Sequence, residues 1–582
     1  MFFINYDEVK NELAGAIATV SGLQPVEITK LLVAPPTLEM GHLAFGCFVL
    51  AKTLKKAPGQ IAIDLAEKLG KEKVKYAQKW VAVGPYLNVF LDTAAVAQNI
   101  LTQINSGKYF KQKLTEKTPK TMIEYSQPNT HKELHVGHMR NLCLGDAIVK
   151  LHRYCGFEVI ASTFPGDVGT HVAKCLWYMK KHNKEKVPTK KKGAWLGSLY
   201  TKSNNLLEEQ KGTEKEEENR QELTAILHQL HDGKGEYFDL WKETRKWSIE
   251  LMQEVYDWAG VKFDKWYWES DVDAKSVSLI QEYVKKGLFV KDQGAIGIDL
   301  SQYKLGFCLL LKSDGTGLYA TKDIELARMK FEDFKIEKSV YVVDKRQAHH
   351  FKQVFKTLEL MGFKEAQNCY HLAYDFVELP EGAMSSRQGN IVPLQDLIEQ
   401  MTQTIEKEHL EKYATDWKSD EIKKVAKDVA AGAIKFGMNK IDPMKSIVFD
   451  MKEWLKLDGE SGPYIQYVHA RINSMIEKIN PKIATEKIDW GQLVKQQETY
   501  LILKLAEFHS VIQVATETYR TSHLCNYLYD LAKLFNSFYA ECPIAKAETE
   551  ELKNARLALS LSVKTILARG LELLGIVAPH RM

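Results

Sequence analysis

Residues 121–155 read TMIEYSQPNTHKELHVGHMRNLCLGDAIVKLHRYC. They begin with a strand-like run, TMIEYS, and continue through a polar loop, QPNTHKELHVG. A helix follows, with apolar residues at helical spacing, namely Met139, Leu142, Ile148, Leu151 and Tyr154. A strand, a loop and a helix in this order form one βα unit. We therefore expect a parallel sheet whose ligands bind at the carboxyl ends of its strands.

Further units of this kind follow along the chain. VIASTF precedes GDVGTH, SVYVVD precedes the helical QAHHFKQVFKTLELMG, and YHLAYDFV precedes MSSRQGN. Strands that alternate with helices predict an α/β domain with a Rossmann-like, doubly wound parallel sheet. We place this domain at residues 116–400. The charged, helix-forming stretch at about 175–265 is expected to be a helical insertion, and its runs of like charge indicate a solvated helical face.

Two further domains are predicted, one on either side of this α/β domain. Residues 1–115 mix short helical patterns with strand-like runs such as KWVAVG and YLNVFLD, which predicts an α+β domain ending in the lysine-rich linker KQKLTEKTPK. Beyond residue 400, apolar residues recur at i, i+3 and i+4, as in LKLAEFHSVIQVATETY, LCNYLYDLAKLFNSFYAEC and ARLALSLSVKTILARGLELLG. Residues 401–582 are therefore expected to form an all-α helical bundle.

Composition limits the class of protein. A chain of 582 residues, 45% hydrophobic and 26% charged, is long enough for several domains and excludes wholesale disorder. Its net charge of +4 is too small to indicate a nucleic-acid partner by itself. No apolar run reaches the roughly 18 residues of a membrane span, and the first residues do not resemble a secretory signal. The eight cysteines are scattered without a CxxC pair, so we expect no zinc site, no membrane, and a reducing, cytoplasmic location.

The sequence HVGH, residues 135–138, lies where the first loop meets its helix. Backbone amides and the helix dipole favour an anion at such a position, a glycine permits close approach, and imidazoles can donate to phosphate oxygens. We therefore expect His135, Gly137 and His138 to bind a nucleotide phosphate. Two surface histidines without a ligand remain the alternative. A zinc site is less favoured, because the spacing differs from a helical HExxH.

A second loop, MSSRQGN at residues 384–390, is rich in small and hydroxyl residues and carries a cation, Arg387. Such a loop can close over a triphosphate, although an ordinary polar turn is the alternative. We expect Met384, Ser385 and Ser386 to contact ATP.

In this order on a parallel sheet, the two loops resemble the nucleotide-binding signatures of class I aminoacyl-tRNA synthetases. Longer segments are similar to arginyl-tRNA synthetases, and they cover nearly the whole chain: EYSQPNTHKELHVGHMRN at 124–141, GDVGTH, TGLYATKDIELARM, VVDKRQAHHFKQVF, SGPYIQYVHARI and ELLGIVAPHRM. The resemblance implies ligation of L-arginine to the 3′ end of tRNA(Arg) through arginyl-adenylate, with release of AMP and pyrophosphate. It also implies ATP with Mg²⁺ as the cofactor and no zinc.

Arginine recognition requires carboxylates, because a guanidinium is a planar fork of five donors. Tyr319 and Asp323 are four residues apart, which places them on one face if this segment is a helix. The resemblance implies that both hold the arginine side chain and that Glu269 is a second acid. The residues implied to fix the amino and carboxylate groups are Glu124, Asn129 and Gln347. The alternative for Tyr319 and Asp323 is a solvated helix face. For Glu124, Asn129 and Gln347 the alternatives are a strand-edge acid, an Asx turn and a helix cap, respectively.

The second loop departs from the family pattern KMSKS. Ala383 occupies the first lysine position, and Ser386-Arg387 replaces the lysine-serine pair. Some arginyl enzymes that lack the loop lysine resemble this chain in carrying a lysine just before HxGH, here Lys132. We expect Lys132, with Arg387, to supply the missing positive charge on the pyrophosphate, although a surface lysine is the alternative. Val168 and His171 in GDVGTH also differ from the more frequent tryptophan and glutamine.

Binding of tRNA is expected at both ends of the chain. SGPYIQYVHARINSM interleaves aromatic and basic residues, and unpaired bases are read by stacking and by hydrogen bonds to their edges. The candidates there are Tyr464, Tyr467 and Arg471, with core packing as the alternative. The resemblance adds Met582 near the anticodon, and Tyr86 and Asn88 at the tRNA elbow.

We expect a monomer. Three other functions remain open: a different class I synthetase, a nucleotidyltransferase that shares HxGH, and an inactive tRNA-binding protein.

Overall fold

The computed structural model describes residues 8–379, 382–383, 392–479 and 487–582, with the backbone alone at 382 and 383. The predicted ATP contacts of the second loop, Met384, Ser385 and Ser386, and its cation Arg387 therefore lie outside the described residues.

The N-terminal unit combines helices with a four-stranded antiparallel sheet, as the mixed pattern predicted. Its elements are α1 Glu8–Ser21, α2 Pro25–Leu31, β1 Leu32–Val33, β2 Leu43–Gly46, α3 Phe48–Leu54, α4 Pro58–Leu69, β3 Ala77–Val83, β4 Tyr86–Leu91 and α5 Thr93–Asn105. The predicted linker that follows is packed against the rest of the protein: Leu114 and Thr115 are fully buried, and the Thr115 hydroxyl donates to the Cys155 carbonyl at 2.7 Å.

The catalytic region contains the predicted alternation of strands and helices. Its elements are β5 Thr121–Glu124, α6 Val136–Cys155, β6 Val159–Thr163, α7 Thr170–Lys181, α8 Lys192–Glu209, α9 Lys215–Asp232, α10 Glu236–Ala259, β7 Lys265–Trp266, α11 Glu269–Lys285, β8 Val290–Asp292, β9 Ala295–Asp299, β10 Phe307–Leu311, α12 Tyr319–Phe334, β11 Lys338–Asp344, α13 Ala348–Leu360, β12 Cys369–Tyr374, β13 Val377–Leu379 and β14 Gly382–Ala383. Helices α7 to α10 form the predicted insertion between β6 and β7.

Five of these strands form one parallel sheet in the order β12-β11-β5-β6-β7. All four residues of β5 are buried, as expected for a central strand covered on both faces. The chain leaves β5 toward β6 on one side and adds β11 later on the other side. The carboxyl ends of β5 and β11 therefore flank the crevice at which open α/β sheets bind ligands. This confirms the Rossmann-like α/β class.

Helix α6 packs unusually closely on the segment that follows β5. A Cβ added at Gly145 would lie 2.2 Å from the Tyr125 ring, so glycine is required there. The helix ends at Gly156, whose φ of 98° is left-handed, a conformation in which glycine has no steric penalty. The Arg140 side chain donates to the carbonyls of Met438, Ile441 and Asp442. These contacts fix the helix that carries the HxGH residues.

The C-terminal region is helical, as predicted. Its elements are α14 Leu394–Ile405, α15 Ser419–Lys440, β15 Ile447–Val448, α16 Met451–Trp454, α17 Gly462–Ile479, α18 Gln496–Ala506, α19 Phe508–Thr518, α20 Ser522–Glu541 and α21 Glu550–Leu573. The segment LKLAEFHSVIQVATETY forms two helices, because α18 ends before Glu507. Strand β15 pairs with β13, so residues beyond 400 also contribute to the catalytic region.

The end of the chain is held against the bundle by polar side chains. The carbonyls of Val577, Pro579 and His580 accept hydrogen bonds from three residues of α17: Gln466 at 2.7 Å, His469 at 3.0 Å and Asn473 at 3.2 Å. No helix among the described residues is long and apolar enough to cross a membrane.

Candidate active site

The HxGH segment is paired through its backbone with residues that follow the second loop in the sequence. The Val136 amide donates to the Val392 carbonyl at 3.3 Å, and the Leu394 amide donates to the Leu134 carbonyl at 2.9 Å. Residues 392–394 lie just beyond the second loop in the sequence, and 134–136 include the first residue of α6. The backbone therefore joins the HxGH segment to a stretch that is remote from it in sequence.

His135 and His138 are arranged so that each ring presents one nitrogen for a ligand. His135 is the N-cap of α6, where its Nδ1 accepts from the Gly137 amide at 3.1 Å. The Nδ1 of His138 accepts from the His135 amide at 3.1 Å. Because Nδ1 is an acceptor in both, the proton of each neutral ring lies on Nε2. Two Nε2–H donors, on rings whose centroids are 4.0 Å apart, are thus available at a helix N-terminus.

Both rings are neutral at physiological pH. Burial, with a smaller contribution from Lys132, lowers the pKa of His135 to about 4. Burial and the neighbouring His135 hold the pKa of His138 well below its usual value. The imidazoles therefore act on phosphate as hydrogen-bond donors, and the positive charge must come from another residue.

Lys132 is the described cation beside these rings. Its ammonium lowers the pKa of both histidines, which reflects its proximity to them. Its Nζ lies 5.0 Å from the centroid of the Tyr200 ring in α8, a cation–π contact. The structure therefore brings Lys132, His135 and His138 together.

A second cluster contains the predicted arginine-binding acids. Glu269, the first residue of α11, is buried, and its Oε2 lies 3.6 Å from the Nζ of Lys322. Burial is the main reason that the pKa of Glu269 rises to about 7. Lys322 opposes this shift, while Asp167, Asp323 and Asp273 add to it. The charge of Asp323 therefore acts on Glu269, so the two carboxylates belong to one acidic cluster.

Asp323 and Tyr319 lie in the first turns of α12, as the i, i+4 spacing predicted. The Asp323 carboxylate is within 2.6 Å of the Nε2 of His350, a residue of α13 that the sequence did not single out. The Tyr319 side chain is 71% exposed. Gln347 is also exposed, immediately before α13. Among the described residues, Asp323 thus has a hydrogen-bond partner in His350, whereas Tyr319 and Gln347 are exposed.

Asn129, Gly166 and His171 connect the two clusters. A Cβ at Gly166 would lie 2.3 Å from the Asn129 Oδ1 and 3.3 Å from the Glu269 Oε2, so both side chains converge over this glycine. The Nε2 of His171 lies 3.3 Å from the Gly166 carbonyl oxygen. Besides burial, both Lys132 and Lys322 lower the pKa of His171, which places the ring between the clusters. The segment GDVGTH therefore belongs to the site.

Glu124 is placed differently from the other predicted acids. It is buried at the end of β5 and forms an ion pair with the fully buried Lys330. It also accepts a hydrogen bond from the side-chain amide of Gln127 at 3.2 Å. Lys330 also lies 3.8 Å from the centroid of the Tyr341 ring. Glu124 therefore already has partners within the protein, and its contact with a substrate amino group stays a prediction.

Asp167 fixes the start of α11. It is fully buried and accepts from the Ser270 amide at 2.9 Å, the Ser270 hydroxyl at 2.7 Å and the Arg245 Nε at 2.7 Å. The Arg245 guanidinium also lies 4.1 Å from the centroid of the Trp268 ring. Because Glu269 lies between Trp268 and Ser270, these contacts determine where its carboxylate points.

The predicted anticodon residues lie on and beside α17. Tyr467 is 38% exposed, and the exposed Arg471 lies 4.6 Å from the centroid of the partly exposed Tyr539 ring. Tyr464 is half-buried, and its hydroxyl accepts from Asn536 at 2.8 Å. Met582 is partly buried against the catalytic core. Tyr467 and Arg471 are therefore exposed, whereas Tyr464 is held by Asn536, and the contact of all three with tRNA stays a prediction.

The two N-terminal candidates differ in exposure. Tyr86 is 40% exposed and stacks edge-on with the exposed Phe48, with ring centroids 5.6 Å apart. Asn88 is buried, and its amide donates to the Met40 carbonyl at 2.8 Å. Asn88 thus braces the sheet next to an exposed aromatic pair, and its contact with tRNA stays a prediction.

Family models match three consecutive parts of the chain. They are the arginyl tRNA synthetase N terminal domain at residues 7–91, the catalytic domain of class I (R) tRNA synthetases at 97–451, and the DALR anticodon binding domain at 465–582.

Similarity to individual proteins extends over the full length. An arginine–tRNA ligase of Bdellovibrio bacteriovorus is 57% identical over 556 residues, which cover 96% of this chain and 95% of that protein. An arginine–tRNA ligase of Treponema denticola is 34% identical, over 97% of this chain and 98% of that protein. The Thermus thermophilus arginyl-tRNA synthetase structure has a TM-score of 0.81 at 28% identity, covering 99% of this chain and all of that one. The Plasmodium falciparum arginyl-tRNA synthetase, at 20% identity and a TM-score of 0.77, shows the shared fold.

These matches agree with the crevice between β5 and β11, its paired histidines and the acids beside them. The chain therefore belongs to the arginyl-tRNA synthetases, the class I enzymes that use ATP to ligate arginine to tRNA(Arg).

Proposed function

We propose how individual residues carry out the reaction of this family, in which the arginine carboxylate attacks the α-phosphate of ATP and the adenylate then transfers arginine to tRNA(Arg). The observation that carries the proposal is the backbone pairing of residues 134–136 with 392–394, which connects the HxGH segment to the residues that follow the second loop. Neither chemical step needs a protein nucleophile. Transfer at phosphorus depends on positioning and on stabilising negative charge, so the contribution of each residue is to bind and orient.

At the triphosphate, His135 and His138 donate from Nε2 to phosphate oxygens, and the Gly137 position allows the nucleotide close to the helix N-terminus. Lys132 supplies the positive charge on the pyrophosphate, helped by Arg387. Met384, Ser385 and Ser386 contact ATP from the second loop. Support comes from the neutral rings and the adjacent ammonium.

At the amino acid, Asp323 and Glu269 bind the guanidinium and Tyr319 packs along the side chain. Asn129, Gln347 and Glu124 fix the amino and carboxylate groups. The two acids belong to one acidic cluster, and bidentate contact of a carboxylate with a planar fork is what distinguishes arginine from lysine. The Oδ2 of Asp323 keeps its hydrogen bond to His350 with one lone pair, so both carboxylate oxygens retain acceptor sites for the guanidinium fork.

At the tRNA, Tyr467 and Arg471 bind an anticodon base by stacking and by a cation contact, with Tyr464 and Met582 shaping the surface. Tyr86 binds the elbow of the tRNA. The buried Asn88 supports the strand that carries Tyr86.

Three broader expectations also remain proposals. ATP enters as its magnesium complex. Phosphate oxygens are common ligands of Mg²⁺, so the nucleotide would bring this ion with it. The chain acts as a monomer in the cytoplasm, where its eight free thiols, seven of them buried, suit a reducing environment. Sedimentation of the purified protein, with and without tRNA, tests the oligomeric state.

His138→Ala tests the assignment directly. Losing one preorganised donor raises the barrier by about 2.7 to 4 kcal/mol, so we expect arginine-dependent exchange of pyrophosphate with ATP to fall roughly a hundredfold to a thousandfold. The helix also loses a capping contact, which lowers the unfolding free energy by only about 1 kcal/mol. The exchange is measured with each of the twenty amino acids, with tRNA(Arg) present and absent.

The matched control is His228→Ala, which removes an exposed histidine from α9. It should exchange at the parent rate. A His138→Ala enzyme within threefold of the parent contradicts the phosphate role. Exchange with an amino acid other than arginine contradicts the roles given to Asp323 and Glu269.

A further inference from the structure

The first signature loop contains a fully buried histidine that the proposed mechanism does not use. His131 is fully buried, and its φ of 58° lies in the left-handed region. A residue with a side chain is strained there and keeps that conformation only when its surroundings hold it. The next residue in the chain is Lys132.

Helix α10 of the insertion holds His131 at two points. The His131 amide donates to the Ser248 hydroxyl at 3.0 Å, and the ring Nε2 lies 2.8 Å from the Thr244 Oγ1. The other ring nitrogen, Nδ1, lies 2.9 Å from the hydroxyl of Thr130. Every polar atom of the ring thus has a partner, and both α10 partners come from one face of that helix.

The direction of these hydrogen bonds follows from the Thr244 hydroxyl. It donates its one hydrogen to the Leu240 carbonyl at 2.9 Å, so its oxygen accepts from the Nε2–H of His131. Nδ1 then accepts from Thr130. The ring is neutral in this arrangement, in agreement with its pKa, which burial and the nearby Arg245 lower to about 3.

Helix α8 of the insertion contacts the next two residues of the loop. The Tyr200 ring lies under the Lys132 ammonium. A Cβ added at Gly197 would lie 2.7 Å from the Glu133 amide nitrogen, so the α8 backbone lies directly against Glu133. Residues 131, 132 and 133 are therefore each in contact with the insertion.

We propose that His131 is a positioning residue through which the helical insertion sets the place of Lys132 at the pyrophosphate of ATP. This rests on the proposed role of Lys132. The insertion fixes the backbone on both sides of the lysine and supports its side chain in between. Releasing His131 lets its strained backbone relax, which moves the Lys132 ammonium. A displacement of about 1 Å can cost on the order of a hundredfold in rate.

The test is a double-mutant cycle between Thr244→Val and Lys132→Ala. Valine keeps the shape of threonine but leaves the buried Nε2–H of His131 without an acceptor. Arginine-dependent pyrophosphate exchange is measured in the full-length enzyme at varied ATP and varied arginine. We expect Thr244→Val to lower kcat/KM for ATP by about tenfold to a hundredfold while the KM for arginine is unchanged. In the Lys132→Ala background, Thr244→Val should lower kcat/KM for ATP by less than twofold.

Two further variants keep the test decisive. Gly197→Ala pushes α8 against Glu133 from the other side and should give the same loss for ATP. Thr224→Val, at an exposed threonine of α9 whose hydroxyl bonds only to the Arg220 carbonyl among the described contacts, should match the parent. Thermal unfolding of each variant shows whether the loss reflects unfolding.

The outcomes separate this proposal from the role of Lys132. If Lys132→Ala exchanges at the parent rate, the role of Lys132 fails and this proposal fails with it. If Lys132→Ala is impaired but Thr244→Val costs the same factor in both backgrounds, Lys132 keeps its role and the positioning by His131 is wrong. Parent activity in Thr244→Val also overturns it.

Discussion

At the scale of single residues, the acids of the arginine pocket combine burial with incomplete neutralisation. Glu269 is buried beside three other carboxylates, and its described cation, Lys322, lies 3.6 Å away. Because burial disfavours the charged form, the free enzyme holds a proton on Glu269 up to near neutral pH. A guanidinium that enters the pocket favours the ionised form and must displace that proton.

This displacement predicts a pH dependence of arginine binding. The pKa of Glu269 is about 7 in the free enzyme and falls when the cation binds, so affinity increases with pH up to about 7 and is flat above it. We expect the KM for arginine to fall by about tenfold between pH 6 and pH 8. Glu269→Gln should remove this dependence and raise the KM at pH 8, as measured by pyrophosphate exchange.

Glu282→Gln is the matched control, because Glu282 is an exposed acid of the same helix that pairs with Lys286. It should keep the pH dependence of the parent. A parent KM that does not change between pH 6 and pH 8 would show that Glu269 is ionised before arginine binds.

Part of the candidate site could be predicted from residue types and their spacing. The HxGH histidines and the Tyr319–Asp323 pair were candidates from the sequence alone, because the residues of each set lie close together at the start of one helix. His350, His171 and Asp167 were not assigned, since their roles depend on partners in other elements. The segments RQAHHF and GDVGTH, already quoted for the resemblance, were the available signal. The burial of Asn88 could not be predicted either, because it depends on packing between distant segments.

At the scale of elements, the position of α11 depends on one buried carboxylate. Asp167 bonds to the backbone and the hydroxyl of Ser270 and to Arg245 of α10, so it joins the loop after β6 to two helices. The first residue of α11 is Glu269. Any change at Asp167 is therefore transmitted to the arginine pocket.

Asp167→Asn should weaken these hydrogen bonds and leave the Arg245 guanidinium without its counter-charge. We expect a loss of about 2 to 3 kcal/mol in unfolding free energy, because hydrogen bonds to charged groups are lost. The KM for arginine should increase severalfold while that for ATP is unchanged. Denaturant unfolding and exchange kinetics measure the two effects.

The comparison for this change is Asp257→Asn on α10, where the aspartate accepts from Gln253 at an exposed position. It should alter neither stability nor KM. Equal increases in the KM values of arginine and ATP in Asp167→Asn would indicate a general distortion of the sheet instead.

The elements themselves were largely predictable. Long runs with one period, such as those of α6, α20 and α21, identify their helices, and the alternation of strands with helices identifies the parallel sheet. The break between α18 and α19 and the pairing of β15 with β13 were not foreseen. Both depend on packing between distant segments, which overrides the local period. The second loop stays a prediction, because it lies outside the described residues.

At the scale of the whole molecule, the N-terminal unit and the last residues of the chain both contact the helical bundle. The Asn105 amide of the N-terminal unit donates to the Ala558 carbonyl at 3.2 Å, and the Ser562 hydroxyl donates back to Asn105 at 2.9 Å. The last residues lie along α17, where Gln466, His469 and Asn473 hold their carbonyls. The bundle is therefore the part to which the other regions are attached.

Removal of residues 577–582 should destabilise this bundle. Three buried or partly buried donors of α17 lose their acceptors, and each buried donor left without one costs about 1 to 3 kcal/mol, less where water enters. We expect a loss of about 2 to 4 kcal/mol and a lower melting temperature, measured by calorimetry. Met582→Ala, which keeps all three carbonyls, should change stability by less than about 1 kcal/mol. A truncated protein as stable as the parent would contradict the role of the tail.

The pairing of residues 134–136 with 392–394 has a consequence for how the enzyme is made. These positions are roughly 250 residues apart in the sequence. A nascent chain therefore cannot complete the nucleotide cleft until residues 392–394 have left the ribosome. Helix α6 waits longer still, because it also packs on α15 and α19. Contacts this remote in sequence form slowly, and the apolar face of α6 stays open to aggregation in the meantime. We therefore expect refolding from denaturant to be slow and to improve when a chaperone is added.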